Sequence, residues 1–339
     1  MKKILSILIF SVAILLWGVC LFNVNAVSAT TTTIKFQSAY PQSSVVTPNL
    51  KLFVKNVEKY TNGEVKIKLF WPGQLVETKE AFNALQRGMI GGLSCSMVAF
   101  VGIVPEAGGE WLPYAWENSS DFVDIYLNRG YLDLMREALA KHGIYYLAPL
   151  SGGANGLITK FPVHKLEDLA GKKIRALGLI GETVRLLGAA PVSLPATEQY
   201  MALQRGTVDG VDFSLYTIEA YKFYEVVDYV ITPPIFTPGL LSIQLSAKVW
   251  DTLSPKNKEA INRAAEQALM QAALYAEVND RRVDKFCKEK GINIIELPPE
   301  EIKRFREAVF PVYESHAKKS DLCARQVEII QKYWNEKGR

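Results

Sequence analysis

The spacing of apolar and polar positions predicts strands and helices in alternation along most of the chain. Residues 33–38 and 65–70 alternate between apolar and polar side chains, as half-buried strands do, whereas residues 46–60 carry apolar side chains at helical spacing. Shorter patterns predict strands at 145–150, 156–159 and 173–176, and a helical turn at 166–170. This alternation is typical of an α/β fold in which helices flank a parallel-rich sheet.

The last quarter of the chain has a different pattern, which predicts mainly helix. The longest amphipathic stretch runs from residue 256 to 287. The other elements predicted there are a strand at 292–297 and helices at 299–318 and 322–336. We therefore expect the α/β part to be followed by a helical C-terminal region.

An internal repeat indicates two related lobes. Residues 80–92 and 198–210 align, and both contain the pentapeptide Ala-Leu-Gln-Arg-Gly, at 84–88 and at 202–206. Each copy predicts a helix that ends at a glycine and passes into a strand, because glycine adopts the left-handed conformation of a helix C-terminus at little cost. Chance agreement is the alternative, but an identical pentapeptide in matching contexts favours duplication.

The two lobes must be joined by short crossings, because no long linker of glycine, serine or proline follows the first 30 residues. Lobes joined in this way form a hinged cleft, with ligands expected at the strand ends between them. We assign 30–151 mainly to lobe I and 152–240 mainly to lobe II. Residues 241–339 are assigned to a crossing back to lobe I, the hinge and the C-terminal helices.

The first residues predict an export signal. Two lysines precede an apolar run from residue 4 to 22 without an acidic side chain, and small residues then favour cleavage after Ala26 or Ala29. We therefore assign residues 1–29 to a signal peptide and the mature chain to the periplasm. An uncleaved anchor is an alternative, because the run approaches the ~20 residues that span a bilayer. Lipid attachment at Cys20 is less favoured, since no small residue directly precedes it.

Composition and charge narrow the possible partners. The formal charge of +4 is small, and no stripe of lysine or arginine occurs, so neither nucleic acid nor an anionic membrane surface is predicted as a partner. The positive balance mildly suits an anionic ligand. The cysteines beyond the signal are too few for a disulfide framework or a zinc site, although Cys287 and Cys323 could pair or stay buried and unpaired.

Arg175 is the sharpest candidate for ligand binding. It ends an apolar strand just before a glycine-containing turn at 176–178, where its guanidinium could enter the cleft. A guanidinium binds a carboxylate through two parallel hydrogen bonds, so this position suits an organic acid. A surface arginine on an edge strand is the alternative from spacing alone.

Other candidates are less specific on their own. Asp212 and Phe213 stand side by side at the end of a strand, where they could form a site or a simple turn. Further residues could line a pocket or only pack in the core: Tyr40, Ser96, Trp111, Asn155, Tyr216 and Phe236.

Catalytic chemistry is not indicated. The sequence has no nucleophile elbow, zinc-protease motif, Cys-x-x-Cys pair, phosphate-binding loop or dinucleotide fingerprint. A carboxylate pair could act without histidine, but the spacing of the carboxylates does not support one. The three histidines, His142, His164 and His316, occur in polar or charged contexts, and we expect all three to be solvated. A binding protein is therefore favoured over an enzyme.

Taken together, several segments resemble one known family, the solute-binding subunits of tripartite ATP-independent periplasmic (TRAP) transporters, or C4-dicarboxylate-binding protein family. The similarity runs from residue 34 to the C-terminal helices. It rests on residues 70–75, 80–92, 166–175, 198–210, 223–226 and 250–255. The resemblance implies two periplasmic-binding-protein-like lobes that close on an organic acid, with Arg175 clamping its carboxylate.

The resemblance also bears on the ligand. Members that bind sialic-acid-like or sugar-acid ligands have a second arginine where this chain has Asn155, and a glutamine-glutamate-asparagine triplet where it has residues 211–213. An acidic residue followed by an aromatic one is more similar to the branch that takes 2-oxo acids, lactate or related monocarboxylates. A C4-dicarboxylate or a sugar acid is the alternative within the family.

In that branch a cation bridges the ligand and the protein. The positions similar to its ligands are Asn155, Asp212 and the carbonyl of Phe213, while Thr237 replaces a glutamine ligand. All-oxygen ligation of this kind implies sodium or calcium. The family further implies two integral membrane subunits as partners, and either a monomer or a dimer with exchanged C-terminal helices. A ligand-sensing subunit of a receptor is the alternative to transport.

Overall fold

The computed structural model describes residues 31–338. The assigned signal peptide and the alternatives at Cys20 lie outside these residues. Within the described part of the chain, no helix is long and apolar enough to cross a membrane.

Eleven strands form two separate sheets in the part of the chain that the structure describes. Sheet A has the order β2-β1-β3-β10-β4, and sheet B has the order β11-β9-β5-β8-β6-β7. The strands are β1 (Thr32–Ser38), β2 (Val65–Phe70), β3 (Gly92–Cys95), β4 (Ile144–Ser151), β5 (Asn155–Thr159), β6 (Lys173–Arg175), β7 (Ala190–Val192), β8 (Gly210–Ser214), β9 (Tyr229–Thr232), β10 (Leu240–Ser246) and β11 (Asn293–Glu296).

The sheets are mixed rather than parallel throughout. Strand β1 runs parallel to β2 and β3, and β6 runs parallel to β7 and β8. Strands β5 and β10 are antiparallel to both of their neighbours, and each begins at a crossing from the other sheet. The predicted two-lobed α/β fold is confirmed, and we call the layers around sheet A lobe I and those around sheet B lobe II.

Helices cover the faces of both sheets and make up most of the C-terminal region. They are α1 (Thr47–Tyr60), α2 (Ala81–Arg87), α3 (Ser119–Asn128), α4 (Tyr131–Ala140), α5 (Gly178–Leu186), α6 (Gln199–Gln204), α7 (Thr217–Ala220), α8 (Ala247–Asp251), α9 (Pro255–Lys290), α10 (Pro299–Val309), α11 (Pro311–Ala317) and α12 (Asp321–Glu336).

The repeated pentapeptide has the same structure in both lobes. Helix α2 ends at Gly88, which has a φ of +72°, and the chain then enters β3. Helix α6 is followed by Gly206, with a φ of +71°, and the chain then enters β8. Each copy is preceded by one turn of 3-10 helix, so the duplication predicted from sequence extends to the geometry of the turns.

Three details of the C-terminal region differ from the predictions. The single helix expected at 299–318 is two helices, since Pro311 lacks the N–H needed to continue α10. Strand β11 joins sheet B, so this region serves both lobes. His316 is fully buried rather than solvated, because it packs against Gly108 and hydrogen-bonds Gln326 at 2.8 Å.

Two crossings between the lobes lie side by side. Gly152 donates its N–H to the carbonyl of Gly239, and Gly239 donates to the carbonyl of Gly153, both at 2.8 Å. The long helix α9 contacts the crossings, because the carboxylate of its Asp280 accepts a hydrogen bond from the backbone N–H of Ala154 at 2.9 Å. The cysteines at 95, 287 and 323 are all buried and unpaired.

Candidate functional site

Arg175 ends β6 and lies in the interior, with only 3% of its surface exposed. Among residues 31–338 it is the only lysine or arginine buried to this degree. Its guanidinium lies 5.0 Å from the centre of the Phe213 ring, and its Nε donates to the carbonyl of Leu194 at 3.1 Å. Burial lowers the pKa of Arg175 to about 10, although Asp212 and Tyr40 act in the opposite direction. The alternative of a surface arginine is therefore wrong.

Asp212 is the second charged group of the site, and it is completely buried on β8. One of its oxygens accepts a hydrogen bond from the side-chain amide of Asn155 on β5, whose own oxygen accepts from Ser214 at 3.3 Å. The other oxygen, Oδ2, has no hydrogen-bond partner within the described chain. Burial raises the pKa of Asp212 to about 7, despite the opposing effects of Arg175 and Asn155.

The register of sheet B places the side chains of Arg175 and Asp212 on opposite faces of the sheet, near the same strand ends. Arg175 lies beside Val211 in register, so its side chain shares a face with Phe213. Asp212 alternates to the opposite face, together with Asn155. Strands β6 and β8 end and β5 begins at this end of the sheet, which is the expected position for a ligand site between two lobes.

Lobe I contributes polar groups from the carboxyl ends of two parallel strands. Tyr40 follows β1 and Ser96 follows β3, and the backbone N–H of Ser96 donates to the phenolic oxygen of Tyr40 at 3.2 Å. The hydroxyl of Ser96 is buried and has no partner in the described part of the chain. Burial raises the pKa of Tyr40, so its phenol stays neutral.

The two lobes touch across the cleft. Ser44 of lobe I and Tyr216 of lobe II bring their hydroxyl oxygens within 3.4 Å. At a second point, a Cβ added to Gly178 of lobe II would lie 2.7 Å from the carbonyl oxygen of Val98 in lobe I. These contacts show a closed cleft around Arg175.

An aromatic wall closes the side of the site near the crossings. The rings of Trp111 and Phe236 lie 5.7 Å apart, and the backbone of Phe236 forms a bridge with Asn155. A Cβ at Gly239 would lie 3.0 Å from the edge of Trp111 and 3.1 Å from the Cβ of Asn155. The indole N–H of Trp111 is buried without a partner among the described residues. Thr237 is half-buried in the same crossing.

Sequence reasoning missed two tyrosines near the site. Tyr221 lies 6.0 Å from Phe213, ring centre to ring centre, and it helps keep the pKa of Arg175 from falling further. Tyr114 lies near enough to Asp212 for that carboxylate to contribute to the raised pKa of the phenol, although burial is the main cause. Tyr114 has a φ of +57°, which no local sequence signal predicts.

The cation site suggested by the sequence at Asn155, Asp212 and the carbonyl of Phe213 stays a prediction. Calcium needs six to eight oxygens, and sodium also prefers several. Asn155 turns its amide nitrogen, not its oxygen, toward Asp212, as the repulsion between two oxygens requires. This leaves Oδ2 of Asp212 as one carboxyl oxygen without a hydrogen-bond partner in the described chain. Among residues 31–338, no three His, Cys, Asp or Glu side chains form a cluster that could hold a metal ion.

Two α/β lobes closed over a buried guanidinium define a two-lobed solute-binding protein. The chain belongs to the bacterial extracellular solute-binding proteins of family 7, the DctP family, whose profile matches residues 36–320. The resemblance to the solute-binding subunits of TRAP transporters is thereby confirmed.

Curated relatives and a solved structure agree with this assignment. The chain is 27% identical to the sialic acid-binding periplasmic protein SiaP of Vibrio cholerae, covering 84% of this chain and 88% of SiaP. It is also 27% identical to the C4-dicarboxylate-binding protein DctB of Bacillus subtilis, covering 78% and 76%. A TRAP periplasmic solute-binding protein from Ochrobactrum anthropi is 27% identical with a TM-score of 0.81, covering 91% and 97%.

Proposed function

We propose that this protein captures a small organic acid with one carboxylate on Arg175 and delivers it, in the periplasm, to two integral membrane subunits of a TRAP transporter. One observation carries the proposal: Arg175 is a buried cation, and no protein carboxylate among the described residues lies within 4.0 Å of it. A buried charge without a counterion is unfavourable, so the site is arranged for an anion that arrives from outside.

The neighbouring groups suit a carboxylate. The Nε of Arg175 is held by the carbonyl of Leu194, which leaves the two terminal nitrogens for a two-point contact with the ligand. The free hydroxyl of Ser96 provides a further donor from lobe I. Phe213 offers an apolar ring beside the guanidinium, which favours a ligand with a hydrophobic or aromatic remainder.

The names of relatives do not decide the ligand. Relatives of equal identity are named for sialic acid and for C4-dicarboxylates. The residues of this chain favour a monocarboxylate, such as a 2-oxo acid, a lactate-like acid or an aromatic acid. Asn155 provides no second cation for a sugar acid, and no other lysine or arginine among the described residues is buried with Arg175.

The family binds solutes, and the proposal gives no residue a catalytic role. Lobe closure over the acid provides the mechanism. The open form admits the ligand, the ligand draws the lobes together through contacts with both, and the membrane subunits recognise the closed surface.

A ligand screen by thermal unfolding tests the proposal. The mature protein, stripped of co-purified ligand, is heated with monocarboxylates, dicarboxylates, sugar acids and matched amides that lack the negative charge. A ligand at 100 times its dissociation constant stabilises by about 2.7 kcal/mol, which raises the midpoint by roughly 5 °C. We expect shifts with monocarboxylates and none with the amides. A screen in which no acid shifts the midpoint would contradict the proposal.

A further inference from the structure

We infer that the ligand carries a hydrogen-bond donor close to its carboxylate, a hydroxyl, an amine or a lactam N–H, which Oδ2 of Asp212 accepts. This inference rests on the proposed function and narrows its ligand class to hydroxy, amino or lactam acids. The observation behind it is that Asp212 is fully buried while one of its oxygens lacks a partner among residues 31–338.

The two buried charges of the site do not satisfy each other. Arg175 and Asp212 are close enough to influence one another electrostatically, yet they form none of the ion pairs within 4.0 Å among the described residues. Their side chains lie on opposite faces of sheet B near the same strand ends, because the two residues occupy alternate positions in the register of β6 and β8. A ligand that spans this end of the sheet and reaches both groups would present an anion to the guanidinium and a donor to the carboxylate.

Asn155 reinforces this requirement. Its amide nitrogen already donates to the other oxygen of Asp212, and its own oxygen accepts from Ser214. The second N–H of this amide makes no hydrogen bond to Oδ2 in the described chain. Buried polar atoms are hydrogen-bonded in almost all folded proteins, so the ligand is the natural source of the missing donor.

The same geometry predicts an order of binding affinity among different classes of organic acid. A 2-oxo group offers only acceptor oxygens, which would face Oδ2 of the ionised carboxylate unfavourably at a pH well above the Asp212 pKa of about 7. A second ligand carboxylate would meet Asp212 with no second buried cation to offset it. A hydroxyl serves best, because it can donate to Asp212 while its oxygen accepts from another group. The unpartnered N–H of Trp111, which borders Asn155 at Gly239, is such a donor in the same wall.

The test compares acids of one carbon skeleton by calorimetric titration after treatment with EDTA, at about pH 8.5, where Asp212 with its pKa of about 7 is ionised. The set consists of 2-hydroxy-4-methylpentanoate, 4-methyl-2-oxopentanoate and 2-methoxy-4-methylpentanoate, and succinate represents the dicarboxylates. We expect the hydroxy acid to bind at least about tenfold more tightly than the oxo acid, and the ether and succinate at least about 100-fold more weakly than the hydroxy acid.

The variant Asp212→Asn provides the second arm, with the exposed Asp228→Asn of the same lobe as its control. An amide both donates and accepts, so Asp212→Asn should bring the hydroxy-to-oxo affinity ratio below about three, while Asp228→Asn leaves it unchanged. If Asp212→Asn fails to fold, the affinity ratios measured for the wild-type protein alone test the inference.

Equal binding of the hydroxy and oxo acids, or a preference that survives in Asp212→Asn, would overturn the inference. Binding that appears only when calcium is added back would also overturn it, in favour of a bridging cation. In each of these cases acids still bind, and the proposed function stands. Failure of every acid to bind with and without calcium, together with no shift for any acid in the thermal screen, would instead overturn both.

Discussion

The hydroxyl oxygens of Ser44 and Tyr216 lie 3.4 Å apart and join lobe I to lobe II. Both side chains are almost completely buried. Ser44 follows β1, and Tyr216 follows β8, which carries Asp212 and Phe213. Opening of the cleft would separate the two hydroxyls, so this contact belongs to the closed form alone.

Replacement of Tyr216 by phenylalanine should therefore weaken ligand binding through closure. Loss of one long hydrogen bond is worth roughly 0.5–1 kcal/mol, so we expect the dissociation constant to rise about threefold. Titration calorimetry would measure it. Tyr224→Phe provides a matched control in lobe II, because Tyr224 packs on Phe286 of α9. Equal effects of the two substitutions would show that Tyr216 has no special role in closure.

Gly178 should be needed for closure for a steric reason. An alanine there would place its Cβ 2.7 Å from the carbonyl oxygen of Val98 in the opposite lobe. Such overpacking typically costs about 1–3 kcal/mol, so Gly178→Ala should raise the dissociation constant about tenfold or more.

The control for this substitution is Gly171→Ala. Gly171 has a φ of +72°, compared with +52° at Gly178, but a Cβ there would meet nothing within 4 Å. Both variants should lose stability from the left-handed backbone, and only Gly178→Ala should lose affinity. A Gly178→Ala protein that binds its acid as tightly as the Gly171→Ala control would refute the closed contact.

Most of the fold could be predicted from the sequence, because periodicity and turn residues act locally. The alternation at 33–38 and 65–70 gave β1 and β2 within one residue, and Gly88 and Gly206 marked the same turn in both lobes. Elements interrupted by a single residue were harder to predict. Pro311 stops α10, although the apolar spacing continues across it.

The candidate site could be predicted only in part. Arg175 was identified because it ends an apolar strand before a glycine turn, and the structure places it in the interior. The orientation of Asn155 toward Asp212 depends on the pairing of β5 with β8, which are far apart in sequence. The burial of His316 likewise depends on Gln326 of another helix. Tertiary pairing of this kind leaves no local pattern.

Asp280, beside the crossings, should make stability depend on pH. Burial is the main cause that raises the pKa of Asp280 from 3.8 to about 6, and Asp284 and Glu277 add to it. The folded state therefore binds this proton more tightly than the unfolded chain does. The stabilisation is complete below about pH 4 and is lost as the pH rises through about 6.

The variant Asp280→Asn tests this, since its amide oxygen can still accept from Ala154. A shift of about two pKa units corresponds to at most about 3 kcal/mol. Asp280→Asn should thus unfold at a higher temperature than wild type at pH 7.5 and at a similar temperature at pH 4. The exposed Asp251→Asn serves as the control. A variant less stable than wild type at pH 7.5 would show that the charged carboxylate stabilises the hinge instead.

The most direct test of the account is calorimetric titration of wild type and Arg175→Met with the best acid from the screen. Loss of a buried two-point contact to a carboxylate should raise the dissociation constant at least about 100-fold. The ligand-free variant should unfold at the same temperature as wild type or higher, because burial already disfavours the Arg175 cation. The exposed Arg185→Met should bind normally. Retained affinity in Arg175→Met would contradict the claim that Arg175 holds the ligand.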